Sequence, residues 1–335
     1  MAIRAVEATA PTRVDLAGGT LDIWPLYLLH PGAVTVNVAI DRRAWCRVET
    51  GADGVRIESR DTLSAVQGKD VEEVIGAGTL TLPAFILRAL GIRTGVRLVL
   101  QSRVPAGSGL GGSSALAVVV AAAASRAVGR PIEGEALVAL VRDAECQAIG
   151  VPTGVQDYWA AVLGGVLCVC LEPGAVRAAR LAVEPERVEG SLLLVDAGAT
   201  RFSGMNNWEV FKRRFDADPA VTQALGDIAA LAIRVRDALE SGRHHDLGQL
   251  VAGEWEARKR LAPAVTTPEI DRIVAAARSA GAAAKVCGAG GGGVVAVWAG
   301  PEPGGRDAAI EALGAAGFAP MPFRVDSRGL RVDAL

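Results

Sequence analysis

The spacing of apolar and polar residues changes period several times along this chain, and each change predicts an element. Residues 3–14 suit a strand, and 33–40 with 44–49 predict two more, joined by a charged turn at Asp41, Arg42 and Arg43. A further strand covers 96–100. After a glycine-rich stretch, 113–127 reads as an alanine and valine helix ended near Gly129, Arg130 and Pro131. Helical periodicity fills 134–149, another helix begins at Thr153 and runs to 163, and strand returns at 165–171. Residues 173–190 are richer in charge and proline and read as a boundary. They divide the chain into domains at 1–185 and 186–335. The second half opens on a strand at 191–196 and continues with amphipathic helices at 222–241, 245–261 and 268–280. Two strands then flank a glycine run between 283 and 298.

Composition narrows the chemistry. Half of the 335 residues are apolar and 21% are charged, enough for the core of one or two domains. A formal net charge of −2 supplies no field for neutralising a run of phosphates, so nucleic acid is excluded as the main partner and a small ligand is favoured. The longest apolar run, 115–124, is about half of the ~20 residues of a membrane span and predicts a buried helix. Residues 1–7 lack a basic segment followed by an apolar one, so a cytoplasmic protein without an export signal is expected. Cys46, Cys146, Cys168, Cys170 and Cys287 lack paired metal-type spacing and read as reduced thiols. Lysine occurs only at 69, 212, 259 and 285, so cationic help to a phosphate is expected from arginine or a metal. Oligomeric state is not legible.

The most informative segment is 105–115. Its glycines let backbone N–H groups approach a ligand just before a helix, an arrangement that binds anions. Gly107, Gly109 and Gly112 satisfy G-x-G-x-x-G, but helical pattern follows where a dinucleotide fold needs a second strand ending in an acid. Gly107 and Gly112 also have Walker spacing, yet Ser113 and Ser114 stand where lysine and a hydroxyl are required. A glycine turn with a serine N-cap and a lysine-free phosphate cradle remain.

Four charged residues need an explanation. Glu145 shares a helix face with Val138, Val141, Ala148 and Ile149, so its carboxylate needs a metal or a cation such as Arg142. Asp157 follows Thr153 and Gln156, which have capping-box spacing, and reads either as an acid of the first helical turn or as a working carboxylate. Arg13 ends a strand. Asp22 lies in a glycine-bearing turn from Gly18 and Gly19, where it can close the turn or accept hydrogen bonds from hydroxyls. Trp24 and Trp208 can stack on a sugar ring or belong to a core.

Residues 105–115 resemble the P-x-x-x-G-L-G-S-S-A signature of the GHMP kinases, the family of galactokinase, homoserine kinase, mevalonate kinase and phosphomevalonate kinase. Residues 10–22 resemble that family's N-terminal substrate motif and 285–293 its C-terminal glycine motif, in the family's order. The heptose phosphate kinases are the most similar subgroup. The resemblance implies an α+β fold, with an N-terminal domain of the ribosomal S5 domain 2-like type and a C-terminal ferredoxin-like domain. It further implies transfer of a phosphoryl group from ATP, with Mg²⁺, to a hydroxyl of a sugar or sugar phosphate. Under it, Pro105, Gly107, Ser108, Gly109, Leu110, Gly111, Gly112, Ser113 and Ser114 cradle the nucleotide, and Ser113 and Glu145 hold the metal. Asp157 accepts or aligns the acceptor's proton beside Arg13, and Gly18, Gly19, Asp22, Gly154, Gly290 and Gly291 face the acceptor. The heptose-kinase pattern is broken at Leu21, at Tyr158 and across 200–212, which leaves the sugar open. A mevalonate-type kinase or decarboxylase and a non-catalytic nucleotide-binding protein are the alternatives.

Overall fold

The computed structural model describes residues 5–198 and 203–335, with the side chains of 203–206 outside the description. Expectations that fall on residues 1–4 and 199–202, including the start of the first strand and part of the 200–212 segment, lie outside the described residues. The first half runs β1 (Ala5–Ala17), β2 (Val34–Thr50), β3 (Val55–Ser59), β4 (Ser64–Gly68), α1 (Val71–Gly76), α2 (Thr81–Ala89) and β5 (Val96–Ser102). It continues with α3 (Gly112–Ala127), α4 (Gly134–Ile149), α5 (Gln156–Leu163), β6 (Val166–Glu172), β7 (Ala175–Arg180) and α6 (Pro185–Ser191). The second half holds β8 (Leu192–Asp196), α7 (Ser203–Phe215), α8 (Pro219–Glu240), α9 (Leu247–Lys259), α10 (Pro268–Ser279), β9 (Ala283–Val286), β10 (Val294–Trp298), α11 (Gly305–Ala315), β11 (Pro320–Met321) and β12 (Arg331–Ala334).

Two sheets organise these elements. The larger follows the order β12-β1-β2-β5-β3-β4, with β6 and β7 branching from β2. The smaller is antiparallel, in the order β11-β8-β10-β9. The sheets change over around α6, next to the division expected at 186, but β12 returns to pair with β1, so the chain's last strand lies in the first sheet. The helix α3 is buried on nearly every side because its alanines and valines pack on β1 and β2 on one side and near α4 and α2 on the other. Among the described residues no helix is long and apolar enough to cross a membrane.

Two local expectations are corrected. The charged trio 41–43 is no turn: β2 runs unbroken through it with a register shift opposite Pro11 and Thr12. Most of its polar groups find partners some 280 residues away. Asp41 N–H donates to Arg324 O at 2.9 Å, and the Arg43 guanidinium reaches Asp326, Thr9 O (2.9 Å) and Gly329 O (2.6 Å). With those charges satisfied the strand has no reason to reverse. The proline-rich boundary also contains a strand, β7, which pairs antiparallel with β6 and whose residues are half-buried or exposed.

Candidate active site

The glycine loop and the start of α3 form one wall of a cleft of about 570 Å³. The loop is held from both halves of the chain. Arg13 N–H donates to Leu110 O at 2.9 Å and its guanidinium donates to Gly109 O, while Val294 N–H donates to Ser108 O at 2.9 Å. A Cβ on Gly109 would lie 2.4 Å from Cys287 O, so the first glycine run crosses the backbone that opens the second. Gly111, at φ +74°, is the N-cap of α3, and no side chain caps that helix. The first N–H groups of α3 are therefore left for a ligand, as the cradle reading requires and the serine-cap reading does not.

Asp157 stands at the same wall. Its Oδ1 accepts from Arg13 Nε at 2.7 Å, and a Cβ on Gly111 would come 3.1 Å from its Oδ2. Arg13 is 4% exposed and lies inside β1, not at a strand's surface end. Burial works against its charge, but Asp157 and then Asp15 outweigh that and raise its pKa. The capping box expected from Thr153 does not form. The N-cap of α5 is Val155, without a side-chain cap, and Thr153 is contacted instead by the Tyr158 hydroxyl at 3.4 Å. The cap comes from across the cleft: Asp22 Oδ2 accepts from Gln156 N–H at 2.9 Å. Gly154 admits it, since a Cβ there would lie 2.2 Å from Asp22 Oδ2. Asp22 is 2% exposed, and burial raises its carboxyl to about 6 against the pull of the Gln156 N–H.

Glu145 makes no pair with Arg142, which turns to Asp143. Its carboxylate accepts from Ser113 Oγ at 2.8 Å, Ser114 Oγ at 3.1 Å and Tyr158 OH at 2.5 Å. Burial pushes its pKa up, the hydroxyls pull it down, and the charge of Asp157 adds to the rise. A buried carboxylate answered only by neutral hydroxyls, open to the cleft, is poised for a cation. Among the described residues no cluster of three or more His, Cys, Asp or Glu could hold a metal unaided.

The protein-family comparison agrees with this geometry on both sides of the cleft. The GHMP kinases N terminal domain matches residues 79–165, and the GHMP kinases C terminal domain matches 235–319. The chain belongs to the GHMP kinases. This GHMP kinase is 27% identical over 307 residues to the D-glycero-alpha-D-manno-heptose 7-phosphate kinase of Campylobacter jejuni, covering 87% of this chain and 88% of that one. It is also 27% identical over 353 residues to the mevalonate kinase of Pyrococcus abyssi, covering 98% of each. Its fold matches a D-glycero-D-manno-heptose 1-phosphate kinase from Bacteroides thetaiotaomicron with a TM-score of 0.78 at 22% identity, over 98% of this chain and 99% of that one. It is an ATP-dependent phosphotransferase with a hydroxyl acceptor, on the two-domain α+β fold of its family.

The kinase's cleft collects most of the residues singled out from the sequence, with exceptions. Pro105, Gly107, Ser108, Gly109, Gly111, Gly112, Ser113, Ser114, Glu145 and Asp157 line it, as do Arg13, Gly19, Asp22 and Gly154. Leu110 turns into the apolar core. Gly18 faces the backbone of β2, where a Cβ would lie 2.2 Å from Val34 O. Gly290 and Gly291 pack on Val265, and Gly291 N–H donates to its carbonyl at 2.9 Å, so the second glycine run meets the cleft at Gly288 and Ala289 instead. Trp24 is 60% exposed, and Trp208 stacks on Phe211 with ring centroids 5.3 Å apart. Neither is part of the cleft wall.

Behind the turn at Gly18 and Gly19 lies a buried charge network that the sequence did not reveal. Lys285 Nζ stands 3.2 Å from Asp15 and 3.1 Å from Glu254, and Arg258 pairs with Glu254 at 2.5 Å. Arg258 also donates to Gly19 O at 3.1 Å, which ties the turn before Asp22 to the second half of the chain. Burial would raise the Asp15 carboxyl, but Lys285 and Arg258 reverse that and lower it. The available signals were one of four lysines in an apolar strand and an i,i+4 Glu–Arg pair in a helix with an apolar flank.

Proposed function

We propose that this GHMP kinase moves the γ-phosphoryl group of ATP onto a hydroxyl of a sugar or sugar phosphate, with heptose phosphates the first class to test. The observation that carries the reading is Asp157, fixed by Arg13 at 2.7 Å against the glycine loop at Gly111. An acceptor hydroxyl between Asp157 and the cradled phosphates gives up its proton to that carboxylate as its oxygen attacks. Arg13 orients the carboxylate and offers positive charge to the transferring group. The N–H groups opening α3 hold the phosphate oxygens.

Glu145 and Ser113 would hold Mg²⁺, with Ser114 beside them. The donor set fits that ion: hard oxygens, one buried carboxylate without a cationic partner, and room for the remaining positions to be filled by phosphate and water. When bound, the ion offsets phosphate charge during transfer.

Similarity to the heptose 7-phosphate kinase supports the sugar reading, as do the acid and amide side chains of Asp22, Gln156 and Asn207 on the acceptor side. The mevalonate kinases support a mevalonate-type acceptor. Against it, and equally against an acceptor that already carries a phosphate, Arg13 is the one basic side chain among the described residues lining the cleft, and it is engaged by Asp157. A coupled ADP-release assay decides between them across free sugars, heptose 1- and 7-phosphates and (R)-mevalonate. The sugar reading expects the highest kcat/KM on a sugar or its phosphate. Highest turnover on mevalonate would replace it with the second reading, and ATP binding without turnover on any compound would replace both with a binding module.

A further inference from the structure

Gln156 opens α5, one position before Asp157, and its two ends are treated differently by the fold. Its backbone N–H is satisfied by Asp22 at 2.9 Å. The side chain is 95% buried with the residue, being only 5% exposed, and it lines the cleft. Its Oε1 has no hydrogen-bond partner among the described residues. The amide nitrogen stands over the acceptor turn, where a Cβ on Gly19 would lie 2.9 Å from Nε2.

A buried amide oxygen left unpaired is costly, and an apolar side chain of the same length would avoid that cost without disturbing the helix, whose cap is on the backbone. Asp22 and Asp157, which line the same cleft, are carboxylates and do not donate when ionised. The donor that satisfies Oε1 therefore comes from whatever occupies the cleft. A hydroxyl can donate, whereas a carboxylate offers only acceptor oxygens and would face an acceptor.

We propose that Gln156 is a specificity-determining residue: its Oε1 accepts a hydrogen bond from a second hydroxyl of the acceptor, so the enzyme favours acceptors that carry that hydroxyl over analogues that lack it. The inference rests on the function proposed above and names the group of the acceptor that is read. No group is transferred to Gln156. A site built to bond a hydroxyl discriminates strongly against analogues that lack it, because its own polar atom is then left unpaired.

The test compares wild type with Gln156→Met, using D-glycero-D-manno-heptose 7-phosphate, its mono-deoxy analogues and (R)-mevalonate as acceptors in the ADP-release assay. In the variant, the acceptor KM should rise about tenfold or more while the KM for ATP stays within about threefold. One mono-deoxy analogue should lose about tenfold or more in kcat/KM with wild type and lose little further with Gln156→Met, since the hydroxyl and its reader form one pair. An unchanged acceptor KM, or an additive deoxy penalty, overturns this inference alone. Wild type without turnover on any sugar overturns the function proposed above, and this inference with it.

Discussion

Asp22 shows how one side chain can serve the helix and the cleft at once. Its pKa of about 6 lies above the ordinary 3.8, so between those values the folded chain binds more protons than the unfolded one. Stability therefore falls as pH rises through that window, and the full cost, about 3 kcal/mol, stands above pH 6. Asp22→Asn keeps an oxygen for the Gln156 N–H and removes the charge. Its thermal midpoint should gain on wild type from pH 4 to pH 6 and hold that gain at pH 7 and 8; a gain independent of pH would refute the burial account. At this scale much was legible. Glu145 was marked by a charge on an apolar helix face, and Asp157 and Arg13 by the family motifs they resemble, all of them properties of the residue and its near neighbours. Asp22 as a cap was not, because its partner Gln156 is 134 residues away. The same distance explains why Thr153, correctly spaced for a capping box, was displaced from that role.

The glycine loop is the element on which the cleft depends, and its conformation is enforced by a neighbour. Gly109 has φ +75° and sits against Cys287 O, so Gly109→Ala meets a backbone clash as well as an unfavourable dihedral. Gly129 has φ +73° with nothing within 4 Å. Denaturant unfolding should therefore find Gly129→Ala destabilised by about 1 kcal/mol and Gly109→Ala by at least about 2 kcal/mol. Equal losses would mean that the loop moves freely away from the second glycine run. Elements with strong local periodicity could be read closely: the 134–149 helix matches α4 end to end. Those set by distant partners could not. The trio at 41–43 looked like a turn because the partners that make its charges tolerable within β2 lie largely in the tail at 322–329.

Across the whole molecule, the two halves are joined by charge as well as by apolar packing. Lys285, Asp15, Glu254 and Arg258 are each at most 2% exposed and connect β9, β1 and α9 to the turn at Gly19. Removing one member leaves an uncompensated buried charge, so Lys285→Met should cost about 3–5 kcal/mol in chemical denaturation. A loss below about 1 kcal/mol would show that the network is dispensable. This network is the part of the fold least visible in sequence, since its four members span 270 positions and each alone has a bland reading. Its consequence is a cleft with one wall from the glycine loop and α5 and a backing from the second half, where Asp157 meets the loop. The most direct test of that account is to measure kcat and ATP affinity together for Asp157→Asn on the best acceptor. A carboxylate that takes the acceptor's proton predicts a fall in kcat of about 10²-fold or more with ATP affinity within about threefold of wild type. A kcat close to that of wild type would contradict it.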